Sequence, residues 1–140
     1  MKFLYSLVKI LFLFPLSVIY GCVVWVRNRL YDNKILPSRE FPLPLISIGN
    51  ITVGGTGKTI HVEHLISILK DLYKTAMLSR GYRRHSSGFL IADQSMNYTE
   101  IGDEPRQIIQ KFPDVIVAVD ANRRNGIEKL MQLEKNLEAI

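Results

Sequence analysis

The chain has 140 residues, 47% of them hydrophobic and 22% charged, with a formal net charge of +5 and a single cysteine, Cys22. That length suits one modest domain with an appendage and excludes two full domains, while one cysteine excludes an intrachain disulfide framework and a cysteine metal site. The basic balance points to an anionic partner, whether nucleic acid, nucleotide phosphates or a membrane bearing acidic lipids, and does not choose among them.

From Phe3 to Val26 the sequence is almost wholly apolar, and Ile10 to Val26 carries no charge. Those roughly 17 residues rise about 26 Å as a helix, a little short of a ~30 Å hydrocarbon core. Adding Phe3 to Val8, with Lys9 snorkelling, makes a span feasible. Pro15 would kink such a helix, which membrane helices tolerate, and Tyr5, Tyr20 and Trp25 sit near its ends, where aromatic rings favour the interface. A cleaved signal peptide fits poorly because no small-x-small site follows before Arg27. A spanning anchor and a helix lying in the interface stand level. Lys2 and Lys9 on one side and Arg27 and Arg29 on the other leave the positive-inside rule undecided.

Residues 1–30 are therefore read as a membrane-associated helix. Residues 31–44, with Pro37, Pro42 and Pro44, are read as a stiff linker. Residues 45–140 form a further domain. In it Leu45 to Ile48 reads as a strand and Thr59 to Tyr73 as a helix, with Val62, Leu65, Ile66, Leu69 and Leu72 at helical spacing. Strands follow at Thr75 to Leu78, Gly88 to Ala92 and Val115 to Val119, and helices at Glu104 to Phe112 and Arg124 to Asn136. A further strand starts at Leu137 to Ile140, so this domain is expected to be incomplete at its C-terminus. The alternation predicts an α/β fold, a P-loop NTPase-type parallel sheet with flanking helices, preceded by an N-terminal membrane helix.

Between the first strand and helix runs Thr52-Val53-Gly54-Gly55-Thr56-Gly57-Lys58-Thr59. Glycines let backbone N–H groups approach phosphate oxygens. Lys58 would reach the β- and γ-phosphates, Thr59 would place its hydroxyl on Mg²⁺, and the following helix adds its positive end. Thr52 departs from the consensus glycine. The loop also resembles that of membrane-dimerising chaperone-like ATPases, but Val53 stands where their signature lysine precedes the glycines. A nucleotide site places the C-terminal side of the apolar helix in the cytoplasm.

Other candidates cluster after strands. Arg80, Arg83 and Arg84 could clamp phosphates or an anionic lipid, or form a solvated basic loop. In Gly102-Asp103-Glu104-Pro105, Asp103 is either a helix cap or a base acting on an acceptor hydroxyl. Asp120 is equally balanced between function and an N-cap. His61 and His64 lack a third ligand for a metal. Nucleic-acid binding is disfavoured, because the basic residues are not interleaved with stacking aromatics.

Ile48-Gly49-Asn50-Ile51 leading into that loop, then Ser79-Arg80-Gly81-Tyr82 and Gly102-Asp103-Glu104-Pro105, all behind an apolar helix and a proline-rich link, resemble the tetraacyldisaccharide 4'-kinase family, the lipid A 4'-kinases of Gram-negative bacteria. Thr52 is typical of that family. The resemblance implies a kinase using ATP and Mg²⁺ at the cytoplasmic face of the inner membrane. Its substrate would be the 4'-hydroxyl of a tetraacylated glucosamine disaccharide 1-phosphate. It implies Lys58 and Thr59 on the triphosphate and Mg²⁺, Asp103 as base, and Arg80 and Arg123 as contacts to substrate or phosphate. Arg83 and Ile60 depart from residues common in the family, glycine and proline, without removing a catalytic group. The family's paired Walker B aspartates and a histidine supporting the base would lie beyond Ile140, so these 140 residues alone are expected to be inactive. A membrane-tethered ATPase or GTPase switch, or a non-catalytic nucleotide-binding fragment, is the alternative.

Overall fold

The structure, a computed structural model, describes residues 2–49 and 57–140, with side chains from Ile10 onward. Internal contacts divide the chain into two units, Met1–Glu40 and Phe41–Ile140.

The first unit is built on one helix, α1 (Lys2–Asp32), which continues through Pro15. Its stretch Ile10–Asp32 has 23 residues at a mean hydropathy of 2.0, none of it buried in the protein. At ~1.5 Å per residue this reaches about 35 Å, long and apolar enough to cross a membrane. Phe12, Phe14, Ile19 and Trp25 are all exposed, so among the described residues this apolar surface is left uncovered. The helix ends where Lys34 turns left-handed at φ 57°. The Ile35 N–H donates to Leu30 O at 2.9 Å and the Lys34 N–H to Tyr31 O at 2.9 Å, which together satisfy carbonyls left open by the last turn.

In the second unit three strands, β1 (Ala76–Ser79), β2 (Leu90–Ile91) and β3 (Ile116–Val119), form a sheet in the order β1-β3-β2. β1 and β3 are parallel, with Ala76 opposite Ile116 and Ser79 opposite Val119. The central strand obeys the period of two. Val117 and Val119 pack on one face with Ile66, Ile101, Ile108, Ile109 and Phe112. Ala118 packs on the other with Ala76 and Leu130. Those partners come from α2 (Lys58–Leu69), α3 (Tyr98–Ile101) and α4 (Asp103–Lys111) on the first face and α5 (Arg123–Leu133) on the second. A strand covered on both faces must be apolar throughout, as Ile-Val-Ala-Val is.

The sheet is mixed, not the parallel one expected: β2 runs antiparallel to β3, pairing Leu90 with Val119. The reason lies in the connection. Residues 80–89 contain no helix, and bringing the chain back to run parallel to β1 in the same sheet would need a crossover of a dozen or more residues. Gly81 and Gly88, at φ 67° and 74°, instead turn the chain back at the edge where β1 ends.

Leu45 to Ile48 has no strand of its own, yet the Ile46 N–H donates to Ile140 O at 2.8 Å and the Ile140 N–H to Pro44 O at 3.1 Å. That is the bonding of a parallel pair. On its other side the same terminal segment bridges Thr75 to Ala139, also in parallel. Leu137 to Ile140 thus lies between residues 44–46 and β1. Helix α2 stops at Leu69, short of the expected Tyr73, because the apolar spacing is carried on by Leu72, which is exposed. The short helix α3 was not anticipated. Asn97 opens it with a capping box, accepting from Thr99 and Glu100 while the Glu100 carboxylate takes the Asn97 N–H.

Candidate active site

Ligands of open α/β sheets gather outside the carboxyl ends of the strands, which here means the chain just beyond Ser79 and Val119. The two ends are tied together: the Asp120 N–H donates to Ser79 O at 2.9 Å, and Arg84 Nη1 reaches Val119 O at 3.3 Å. Arg84 is consequently a strut, its Nη2 also donating to Gly88 O at 2.6 Å. Arg80 and Arg83 are exposed, and Arg83 lies over the Tyr82 ring at 5.4 Å.

The start of α4 meets this edge through two glycines. Gly102, at φ 93°, holds the N-cap position without a side-chain bond, and a Cβ there would stand 3.0 Å from Tyr82 O and 3.1 Å from Gly81 Cα. A Cβ on Gly81 would meet Ile101 O at 3.0 Å. The segments Ser79-Arg80-Gly81-Tyr82 and Gly102-Asp103-Glu104-Pro105 therefore touch backbone to backbone. Asp103 occupies the first helical position with its carboxylate exposed and without a partner among the described residues. Glu104 turns inward and accepts the Ser79 hydroxyl at 3.1 Å.

At the end of β3, Asp120 is 3% exposed. Its carboxylate accepts from the Asn122 N–H at 2.8 Å and Asn125 Nδ2 at 2.6 Å. The N-cap of α5 is Asn122, which accepts the Asn125 N–H, so Asp120 shapes the turn and is not the cap. Arg123 opens α5 on the exposed side.

Thr52, Val53, Gly54, Gly55 and Thr56 lie outside the described residues. Gly57 is left-handed at φ 77° immediately before α2, and Lys58 and Thr59 form that helix's first turn. His61 Nδ1 donates to Gly57 O at 2.9 Å. A cleft of about 260 Å³ runs between residues 45–48, α2 and β1. Apolar side chains such as Val62 and Ile66 line most of it, and Ser79, Glu104 and Arg123 supply polar groups. The structure thus brings Arg123 to the same cleft as α2, and places Arg80 and Asp103 each one residue from the Ser79–Glu104 bond. The pairing of Ser79 with Glu104 had no signal in the sequence, because the two residues are 25 apart.

A helix-flanked α/β sheet with a loop-to-helix turn beside its strand ends is the architecture of proteins that bind ligands at that edge. The chain belongs to the LpxK family, tetraacyldisaccharide-1-P 4'-kinase, whose model it matches over residues 9–140. It is 54% identical over 122 residues to the tetraacyldisaccharide 4'-kinase of Parabacteroides distasonis, covering 87% of this chain and 33% of that one. It is 55% identical over 119 residues to that of Flavobacterium johnsoniae, covering 85% and 35%. The crystal structure of LpxK from Aquifex aeolicus in complex with ATP matches it with a TM-score of 0.75 and 36% identity, over 91% of this chain and 42% of that one. The chain spans about a third of the length of the curated relatives it matches.

Proposed function

We propose that this chain is the nucleotide-binding part of a kinase that transfers the γ-phosphate of ATP to the 4'-hydroxyl of a tetraacylated glucosamine disaccharide 1-phosphate in lipid A synthesis. The observation that carries it is the match to the Aquifex LpxK that holds ATP, across nearly all of this chain.

In this reading the glycine-rich loop, Thr52 to Gly57, wraps the phosphates with backbone N–H groups, and Lys58 lays its ammonium against the β- and γ-phosphates. The first turn of α2 adds partial positive charge. Asp103 takes the proton of the 4'-hydroxyl as its oxygen bonds to the γ-phosphorus, and the bond from that phosphorus to the β–γ bridging oxygen breaks, leaving ADP. Arg80 and Arg123, on the exposed sides of their turns, hold phosphate or substrate charge.

Mg²⁺ would neutralise the triphosphate. The half-buried Thr59 hydroxyl in the first turn of α2 offers it one oxygen, which suits an ion held mainly by phosphates and water. Helix α1 is the membrane-associated element at the cytoplasmic face of the inner membrane, where a tetraacylated substrate resides. Its whole length and the proline-containing link serve residence, while residues 45–140 carry the chemistry.

The test is transfer of labelled γ-phosphate to the tetraacyldisaccharide 1-phosphate by the full-length protein. Lys58→Ala should reduce it at least about 10²-fold, since it removes charge aimed at the transferring group. Near-normal transfer by that variant would refute the role given to the loop. Release of free phosphate without lipid labelling by the wild type would point to an ATPase switch.

A further inference from the structure

Asp103 is exposed and has no partner of its own among the described residues, so its position is set by the backbone of the first turn of α4. What holds that turn is its neighbour. Glu104 accepts the hydroxyl of Ser79 at 3.1 Å, and the same hydroxyl accepts the Gly81 N–H at 3.3 Å. Ser79 is only 7% exposed and Glu104 half-buried, and at 3.1 Å the bond is longer than a strong hydroxyl–carboxylate contact, so its contribution is to geometry more than to stability. The glycine contacts leave little slack around it, with Gly102 against Tyr82 O and Gly81 against Ile101 O. One side-chain bond therefore spans the turn that carries Arg80 and the turn that carries Asp103.

We propose that Ser79 and Glu104 are a positioning pair, which locks the turn after β1 to the first turn of α4 and so sets Asp103 and Arg80 in register for phosphoryl transfer. This rests on the kinase reading above. Glu104 acts through its acceptor oxygen and its geometry; Asp103 remains the proton acceptor. Displacing a reacting group by about 1 Å costs on the order of 10²-fold in rate, so loosening this bond should affect kcat while leaving the nucleotide loop intact.

The experiment uses the full-length protein with Ser79→Ala, Glu104→Ala, both together, and Glu104→Gln. With wild-type lipid phosphorylation established first, kcat should fall about 10- to 100-fold in either alanine variant, with the KM for ATP and the melting temperature nearly unchanged. The double variant should be no worse than the singles, the mark of one shared interaction. Glu104→Gln keeps an oxygen for the Ser79 hydroxyl and should lose no more than about threefold, as a neutral bond is roughly half as strong as a charge-assisted one. In parallel, amide exchange should speed up at residues 80–84 and 102–104 in Ser79→Ala and stay slow at 116–119. If Glu104→Gln is as impaired as Glu104→Ala, the carboxylate charge acts directly and the proposal is wrong. Wild-type kcat and unchanged exchange in Ser79→Ala also overturn it. Should the wild type phosphorylate no lipid, the kinase reading fails, and the exchange measurement alone judges whether the pair joins the two turns.

Discussion

At the scale of single residues, Asp103 carries the largest consequence. Gly102 takes the N-cap position of α4, so the Asp103 side chain makes no capping bond and offers the helix only its charge. Charge at a helix N-terminus contributes about 0.3–1 kcal/mol at an exposed site, whereas losing a general base costs about 10²–10⁴ in rate. Asp103→Asn in the full-length protein should therefore shift its melting temperature by no more than a few degrees and keep its ATP affinity while kcat falls at least about 10²-fold. Wild-type turnover in a well-folded Asp103→Asn protein would leave Asp103 with the dipole alone. Asp120 differs in kind. It is buried with both oxygens engaged by the Asn122 N–H and Asn125 Nδ2, which makes it the organiser of the turn that presents Arg123.

Between elements, α2 and α4 are bracketed on the sheet face they share. Glu63 accepts from Lys111 Nζ at 2.6 Å and from Gln107 Nε2 at 2.7 Å. The hydrogen bond from Lys111 is the largest cause holding the Glu63 carboxyl below the usual glutamate range, with Gln107 adding to it. Because the folded form is the one with the lowered value, the stabilisation is present above the unfolded value, about 4.3, and is lost as pH falls through the lowered one. Urea unfolding midpoints of wild type and Glu63→Gln should differ at pH 7 and converge as the solution is acidified below that value. A gap independent of pH would remove the ion pair from the account. On the opposite face α5 approaches β1 so closely that a Cβ on Gly126 would lie 2.8 Å from Leu78 Cδ1, with Leu130 fully buried beneath it.

For the molecule as a whole, internal contacts separate Met1–Glu40 from Phe41–Ile140, and the proposed function gives membrane contact to the first and chemistry to the second. The apolar side chains of Ile10–Asp32 are exposed along the helix, and exposed apolar surface of this extent drives partition into a membrane. Removing residues 1–32 from the full-length protein should abolish co-sedimentation with phospholipid vesicles and leave some phosphorylation of detergent-dispersed substrate. Continued sedimentation would show that another apolar surface holds the protein at the membrane.

Local signals were enough for much of this. The uncharged run from Ile10 to Val26 makes α1 legible because a membrane-length helix depends on composition alone. The strand at Ile116–Val119 was legible because a doubly covered strand is apolar throughout. The motifs around Lys58, Arg80 and Asp103 pointed to the family because each is a contiguous run readable in the sequence. The capping box at Asn97 and Glu100 is equally local. Other features exist only once distant segments meet. The polarity of β2 follows from where a helix-free connection can lead, and the end of α2 from Leu72 finding no core to enter. That Gly81 and Gly102 are required by each other, and that Ser79 binds Glu104 25 positions along the chain, depends on packing between distant segments, for which no periodicity in the sequence carries a sign.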